Sequence, residues 1–187
     1  MTVLDLPTAF WHTLTIEMQR DPNLQLPPDI HTIIIGGEKA SPEHLATWQT
    51  IVSDEVVVLN TYGPTETTIV TVACPLTGAD AVVRAELAPI GVPVASARVY
   101  VVDQYKQLAA IGVPGELLLG GPQVALGYVG LEAETAVKFI PDPFGEDSIV
   151  YRTGDRVRFF RRRHLTICGA NGSASEDSGP SYRTRNH

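Results

Sequence analysis

The sequence predicts an α/β fold, in which a partial parallel sheet with helices is followed by a small antiparallel, barrel-like subdomain. Three observations lead to this prediction. Runs of β-branched residues alternate with amphipathic helical segments in the first third of the chain. Apolar strands in strand–helix–strand order favour parallel pairing. Short strands between glycine and proline clusters then take over, a pattern typical of antiparallel barrels. We therefore place the α/β part at residues 1–84, the barrel-like part at 85–160 and a disordered or out-of-frame tail at 161–187.

Helices and strands alternate in the α/β part. Trp11, Leu14 and Met18 repeat at helical spacing and share one face. Ser41 and Pro42 suit a helix start, because serine can cap free amides and proline fits the first turn. The predicted elements are a helix at 10–18, a strand at 31–35, a helix from 41 onward, a strand at 56–59 and a polar loop at 60–68.

The barrel-like part consists of short strands separated by turns. The clusters Gly112–Gly115 and Gly120–Pro122 mark two of these turns. The predicted strands are 98–102, 116–119 and 156–160, with one helix at 132–139. After Arg161 the periodicity disappears, and 173–181 is polar and rich in glycine, serine and proline, which is typical of disorder.

Composition and charge exclude several classes of protein. The 187 residues are 44% hydrophobic and 19% charged, with a net charge of −7, as in ordinary globular proteins. No stretch approaches the roughly 20 apolar residues of a membrane span, and the N-terminus lacks the basic region of a signal peptide. Cys74 and Cys168 have neither disulfide nor metal spacing. We expect a cytoplasmic protein.

The first chemically promising segment is the loop Asn60–Thr68, which directly follows a buried strand. Ligands of open α/β sheets bind beyond the carboxyl ends of the strands. The loop offers the aromatic face of Tyr62, several hydroxyls and the carboxylate of Glu66. These groups could stack on a base, bond phosphate and hold Mg²⁺. A polar turn with a solvated Glu66 explains the same residues equally well.

The second segment is Tyr151–Asp155, just before a predicted strand. The Asp155 carboxylate could accept both hydroxyls of a ribose, as an acidic residue does in dinucleotide sites. Taken alone, an aspartate in a turn is the simpler explanation.

Together these motifs resemble three consecutive core motifs of the adenylate-forming (AMP-dependent synthetase/ligase) superfamily. The motifs are Asn60–Glu66, then Gly115–Gly121 with Leu126–Tyr128, then Tyr151–Asp155. Within that superfamily, Tyr-Gly-Pro-Thr-Glu and the segment Leu6–His12 are most similar to adenylation domains of nonribosomal peptide synthetases. The match runs from residue 2 to 160, and three ordered motifs are far more specific than one.

The resemblance implies a role for individual residues. Tyr62 would stack on adenine, in a cleft also lined by Gly36, Gly37 and Glu38, and Asp155 would hold the ribose. As catalytic residues, Thr65 would touch the α-phosphate and Glu66 would hold Mg²⁺. The positions that would shape the substrate side-chain pocket are Asp5, Ile34, Gly36, Thr61, Ile69 and Val70. Without the resemblance, core packing would be the simpler role for Ile34, Ile69 and Val70.

The resemblance also implies a reaction. A carboxylate of an amino acid or similar acid attacks the α-phosphorus of ATP and expels pyrophosphate, with Mg²⁺ neutralising charge. The acyl group then passes to phosphopantetheine on a carrier domain, and condensation domains are further partners in the intact synthetase.

Other motifs of the family have no match in this sequence. These are the phosphate loop ending in Pro-Lys-Gly, the Gly-Arg-x-Asp hinge and the catalytic lysine; neither Lys106 nor Lys138 lies in a matching motif. Because the phosphate loop and the lysine supply much of the electrostatic stabilisation, we expect this chain to be inactive alone.

The tail has an unusual property at the level of codons. Eight of the 14 Lys and Arg residues lie at or after Arg152, which could indicate nucleic-acid or membrane contact. However, codons can be chosen for residues 161–185 that, when translated one nucleotide later, give ADGTLRFAGRMDQQVKIRGHRIELG. This second translation resembles the family's next motif. We therefore hypothesise a frameshift close to Phe160, genuine or a sequencing error, and expect neither nucleic-acid nor membrane partners. Resequencing the gene tests the hypothesis.

Three alternatives stay open. The chain could be part of an acyl- or aryl-CoA ligase of the same superfamily. It could also be a non-catalytic nucleotide-binding remnant, or the product of a broken gene without function.

Overall fold

The computed structural model describes residues 2–81, 89–145, 148–160 and 164–170. Within these ranges the chain forms two five-stranded sheets, three α-helices and one short 3₁₀-helix. None of the helices described is both long and apolar enough to cross a membrane.

The first sheet carries the α/β part. Its strands lie side by side in the order β1 (Val3–Pro7), β2 (Thr32–Gly36), β3 (Val57–Tyr62), β4 (Val72–Pro75) and β5 (Val92–Pro93). The first three strands are parallel, whereas β4 and β5 pair antiparallel. The strand–helix–strand pattern therefore predicted the parallel pairing correctly.

Helices α1 (Thr8–Arg20) and α2 (Pro42–Ile51) pack on one face of this sheet. Trp11 and Trp48 are fully buried there, with ring centroids 5.7 Å apart. Ile33, Ile35 and Val58 face them from the strands. Each aliphatic side chain buried in this way contributes roughly 1.5–3 kcal/mol, so this cluster fixes the strands whose ends carry the site.

The second sheet is antiparallel, as predicted. Its strands are β6 (Arg98–Val102), β7 (Gly115–Gly120), β8 (Phe139–Pro141), β9 (Ile149–Phe160) and β10 (His164–Ala170), in the order β10-β9-β7-β6 with β8 also on β9. Helix α3 (Glu132–Lys138) leads directly into β8. Leu117, Leu119, Val157 and Leu165 form its core, which continues to Val72 of the first sheet.

The two sheets join at Gly91. Its carbonyl accepts a hydrogen bond from the Leu165 amide at 2.8 Å, and the Ile90 amide donates to the Leu165 carbonyl at 3.0 Å. The predicted boundary after residue 84 lies outside the described residues, and β5, beyond that boundary, still pairs in the first sheet.

Two segments predicted as loops are strands instead. Asn60–Tyr62 belongs to β3, because β4 returns antiparallel beside it and extends the ladder. Tyr151–Asp155 lies inside β9, which is 12 residues long. Tyr151 and Arg152 pair with β7, and Asp155 pairs with Ala170 of β10. Between them the register with β7 shifts and Gly154 has a φ of +83°, so an irregularity within the strand, and not a turn between strands, presents the motif.

The expected structureless tail is wrong for residues 164–170. These residues form β10, and Leu165 is fully buried in the second core. Alternation of apolar and polar side chains over 165–168 is enough to pair with the exposed edge of β9. The remaining tail residues, 161–163 and 171–187, lie outside the described residues.

Candidate functional site

A cleft of about 410 Å³ opens at the carboxyl edge of β2 and β3, facing β9 and β10 of the second sheet. Five of the predicted site residues line this cleft: Gly37, Glu38, Thr61, Tyr62 and Asp155. The other lining residues are Lys39, Ala40, Asn60, Gly63, Pro64, Ile90 and Ile167. The position agrees with the rule that ligands of parallel sheets bind beyond the strand ends.

Tyr62 and Asp155 meet across the cleft although 93 residues separate them in sequence. The Tyr62 hydroxyl donates a hydrogen bond of 2.5 Å to Oδ2 of Asp155. Burial, reinforced by this carboxylate, raises the pKa of Tyr62, so the phenol stays protonated. Asp155 is held in turn by its amide, which donates to Oγ1 of Thr153 at 3.0 Å. The aromatic ring and the carboxylate therefore present a fixed pair of groups.

The floor of the cleft is the loop after β2, and the side chain of Thr8 holds its backbone; Gly36, the last residue of β2, does not itself line the cleft. The Thr8 hydroxyl donates to the carbonyls of Gly36 and Glu38, at 3.0 and 3.3 Å. Gly36 needs to lack a side chain, because a Cβ there would lie 2.5 Å from Oγ1 of Thr61. Gly37 has a φ of +86°, a backbone conformation that favours glycine.

The loop leads into α2 without the predicted serine cap. The Ser41 side chain makes no capping hydrogen bond. Its backbone amide instead donates to Nε2 of His12 at 3.1 Å. His12 stacks on His44 with ring centroids 4.3 Å apart. Burial, helped by His44, lowers the pKa of His12, which favours the neutral ring that this hydrogen bond requires.

Glu66 lies on the 3₁₀-helix Thr65–Thr67, beyond the cleft residue Pro64. The Tyr128 hydroxyl donates to its Oε1 at 2.5 Å. Burial alone would raise the pKa of Glu66, but hydrogen bonds from Tyr128, its own amide and Tyr151, with the charge of Lys138, together lower it. Glu66 is therefore an ionised carboxylate at neutral pH. Thr65, next to it, is exposed to solvent.

The residues around Glu66 fit a magnesium ion only if the ligand supplies further oxygens. Among the described residues, no group of three or more His, Cys, Asp or Glu side chains could hold a metal. Mg²⁺, however, usually keeps several waters and needs only one or two carboxylates besides phosphate oxygens. An ionised Glu66 with Oε2 outside the Tyr128 hydrogen bond meets that requirement.

The predicted substrate-pocket residues fall into two groups. Asp5 of β1 pairs with Ile34 of β2, and Gly36 of β2 pairs with Thr61 of β3. Because side chains alternate along a strand, all four belong to the face opposite α1 and α2. The other two, Ile69 and Val70, lie in the turn before β4. Ile69 is 70% exposed with a φ of +69°, so core packing does not explain it.

Sequence reasoning missed three groups at this site. Tyr128 was expected only as part of a motif, and its bond to Glu66 depends on tertiary structure. Lys138, which lies outside the family's lysine motif, places its Nζ 3.4 Å from the Arg152 carbonyl and acts on Glu66 by charge. Asn60 is buried and donates to the Pro89 carbonyl at 2.9 Å. An asparagine directly after the apolar run 56–59 was the feature of the sequence that could have indicated this buried hydrogen bond.

The comparisons with known proteins agree on one family. The sequence profile described as "AMP-binding enzyme" matches residues 1–129. Isonitrile lipopeptide synthase of Streptomyces coeruleorubidus is 37% identical over 180 residues, which is 96% of this chain and 11% of that protein. Tyrocidine synthase 3 of Brevibacillus parabrevis is 38% identical over 154 residues, 81% of this chain and 2% of that protein.

A solved structure with the same fold is holo-PA1221, an NRPS protein containing adenylation and PCP domains bound to a vinylsulfonamide inhibitor. It superposes with a TM-score of 0.77 at 27% identity, covering 90% of this chain and 28% of that one. This chain thus spans a small part of the length of each of these proteins.

Proposed function

The chain belongs to the AMP-binding enzyme family and corresponds to part of a nonribosomal peptide synthetase adenylation domain, and on that basis we propose that its cleft binds ATP. The observation that carries this proposal is the pair formed by Tyr62 and Asp155 at the carboxyl edge of the parallel strands. An aromatic face and a carboxylate side by side suit the adenine and the ribose of one nucleoside.

Each group would act on a different part of the nucleotide. The Tyr62 ring would stack on adenine, with Gly37 and Glu38 forming the floor. Asp155 would accept hydrogen bonds from the ribose hydroxyls, which would compete with the Tyr62 hydroxyl for Oδ2. Thr65 would contact the α-phosphate, and Glu66 would hold Mg²⁺ through one oxygen. This arrangement would stabilise charge on the phosphates during attack of the carboxylate on the α-phosphorus.

The acid substrate would lie on the helix-free face of the first sheet. Asp5, Ile34, Gly36 and Thr61 share that face and would line its side-chain pocket, with Ile69 and Val70 at the rim. In a complete adenylation domain, its carboxylate would attack the α-phosphorus and pyrophosphate would leave, giving an acyl-adenylate; this chain alone is expected to be inactive. Within a longer synthetase, phosphopantetheine on a carrier domain would take up the acyl group, and condensation domains would act next.

Nucleotide binding by the chain itself tests the proposal. We expect calorimetric titration with ATP to show saturable binding to the wild type. Tyr62→Ala should weaken binding by roughly tenfold, because stacking of one base contributes about 1–3 kcal/mol. Asp155→Asn should weaken it about tenfold or more, since a hydrogen bond to a charged group contributes about 1.5–3 kcal/mol.

Tyr105→Ala is the matched control, because this tyrosine is 74% exposed on a turn of the second sheet and lines no part of the cleft. Equal ATP affinities for the wild type, Tyr62→Ala and Asp155→Asn would refute the proposed site.

A further inference from the structure

We infer that Tyr128 is a positioning residue for Glu66: its hydroxyl fixes one carboxylate oxygen so that the other is presented first to the metal. The inference rests on the proposed function, which gives Glu66 its metal. The contact that carries it is the 2.5 Å hydrogen bond from the Tyr128 hydroxyl to Oε1. The Tyr151 hydroxyl lies 3.5 Å from that of Tyr128 and extends the network.

The Tyr128 ring is itself held in place. It meets Phe139 edge-on, with centroids 5.3 Å apart and planes at 76°, and Phe139 contacts Tyr151 at 5.1 Å. The Tyr128 amide donates to Oγ1 of Thr135 on α3 at 2.9 Å. A side chain fixed at both its backbone and its ring can define the position of the group that it bonds.

The same segment also holds the backbone around Glu66. The Ala125 amide donates to the Glu66 carbonyl at 2.8 Å. The Thr68 hydroxyl donates to the Gln123 carbonyl at 2.8 Å. Residues 123–128 therefore contact the chain around Glu66 in three ways. Ala125 bonds to the Glu66 carbonyl, Tyr128 bonds to the Glu66 carboxylate, and the Gln123 carbonyl accepts a hydrogen bond from Thr68. The carboxylate cannot rotate freely between rotamers as an exposed glutamate does.

This arrangement sets how Glu66 would coordinate. With Oε1 accepting the Tyr128 hydroxyl hydrogen and the Tyr151 hydroxyl also acting on the carboxylate, Oε2 would be the oxygen that the carboxylate presents first to the metal. One-oxygen coordination leaves more of the octahedral shell of Mg²⁺ to phosphate oxygens and water. Groups that orient a metal ligand in this way typically change metal affinity by 10- to 100-fold when they are removed.

The test compares Tyr128→Phe with wild type in two ATP titrations, one in EDTA and one across a range of Mg²⁺ concentrations. We expect the affinity in EDTA to change by less than about twofold, since the hydroxyl is not in the cleft. The Mg²⁺ concentration that gives half of the metal-dependent gain should rise about tenfold or more. Tyr105→Phe, the same chemical change on an exposed turn, should leave both values unchanged.

A double-variant comparison separates positioning from general structural damage. Glu66→Gln should abolish the response to Mg²⁺, and adding Tyr128→Phe to it should then change nothing further. Equal responses of the wild type and Tyr128→Phe to Mg²⁺ would overturn the inference and leave the proposed function standing. A wild type that binds ATP but gains nothing from Mg²⁺ would overturn the role of Glu66 and this inference with it.

Hydrogen exchange on the ligand-free chain decides the case in which ATP does not bind at all. That result would refute the proposed function. The rate of hydrogen exchange at the Ala125 amide would still report whether Tyr128 holds the segment 123–128 against Glu66. We expect this amide to exchange faster in Tyr128→Phe than in wild type. Unchanged exchange would overturn the inference independently of nucleotide.

Discussion

At the scale of single residues, the hydroxyl of Tyr62 links the two sequence motifs that were expected to bind a nucleoside. Its hydrogen bond to Asp155 means that the site is pre-organised, because neither the ring nor the carboxylate has to search for its position. On the proposed function, the same bond would be exchanged when a ribose binds. Tyr62 and Asp155 are thus held rigidly by a hydrogen bond that a ligand hydroxyl could replace.

The histidine pair beside the cleft makes the stability of this region depend on pH. Because the pKa of His12 is lowered in the folded chain, the unfolded state binds more protons near pH 6. The contribution of neutral His12 to folding stability is complete above the unfolded pKa of about 6.5. That contribution falls as the pH drops past this value toward the lower pKa of the folded state. His44 faces His12, and Glu43 and Lys39 nearby are exposed.

We predict that wild type loses more stability than His12→Gln when the pH is lowered from 7.5 to 5.5. Glutamine can still accept the Ser41 hydrogen bond but does not titrate. Urea denaturation at the two pH values measures the difference. Identical losses in the two proteins would show that His12 does not carry this pH dependence.

Much of the residue-level site could be predicted from sequence, for a specific reason. Tyr62, Glu66 and Asp155 stand in compact motifs, where residue type and spacing carry the chemistry. The Tyr128 contact could not be predicted, because it joins residues 62 positions apart through the folding of the second sheet. The roles of all these residues still depend on the experiments proposed above.

At the scale of elements, the joint between the two sheets depends on Gly91. Its φ is +99°, and a Cβ would lie 1.9 Å from the Ala73 carbonyl oxygen. Its carbonyl also accepts the hydrogen bond from β10. The second sheet, which carries Asp155, is therefore placed against the first by a backbone contact that admits no side chain.

We predict that Gly91→Ala destabilises the fold far more than Gly112→Ala does. Gly112 has a similar φ of +89° but nothing within 4 Å of its Cβ position. Its substitution should cost about 1–2 kcal/mol from the left-handed backbone alone. Gly91→Ala should cost about 1–3 kcal/mol more from the clash. Chemical denaturation of both variants checks this, and equal costs would contradict the close packing at the joint.

The strands that sequence patterns failed to locate share one physical feature. β1, β4, β5 and β8 have five residues or fewer, and β10 alternates only over 165–168, so local pattern carries little signal for them. Their pairing comes from neighbours already in place, as β4 beside β3 and β10 beside β9 illustrate. The helices and central strands of the first sheet were predictable, because their burial around Trp11 and Trp48 requires apolar residues at regular spacing in the sequence.

The frameshift hypothesis concerns the residues after Phe160, of which 164–170 form β10. The hypothesis predicts that the gene, read one nucleotide later after Phe160, encodes the Gly-Arg-x-Asp motif. A nucleotide sequence without that motif in the shifted frame would exclude it.

At the scale of the whole molecule, the proposed nucleotide cleft belongs to neither sheet alone. The first sheet supplies Tyr62 and the glycine loop, and the second supplies Asp155 and the tyrosine that holds Glu66. A single folded unit containing both sheets is therefore the smallest part of this chain that could form the site. The proposed substrate pocket, by contrast, draws its paired residues from the first sheet.

The most direct test of the proposed nucleotide site is a crystal structure of the chain grown with AMP. We predict adenine stacked on the Tyr62 ring, with the ribose hydroxyls on Asp155 in place of the Tyr62 hydroxyl. AMP bound elsewhere, with the bond between Tyr62 and Asp155 intact and the cleft empty, would contradict it.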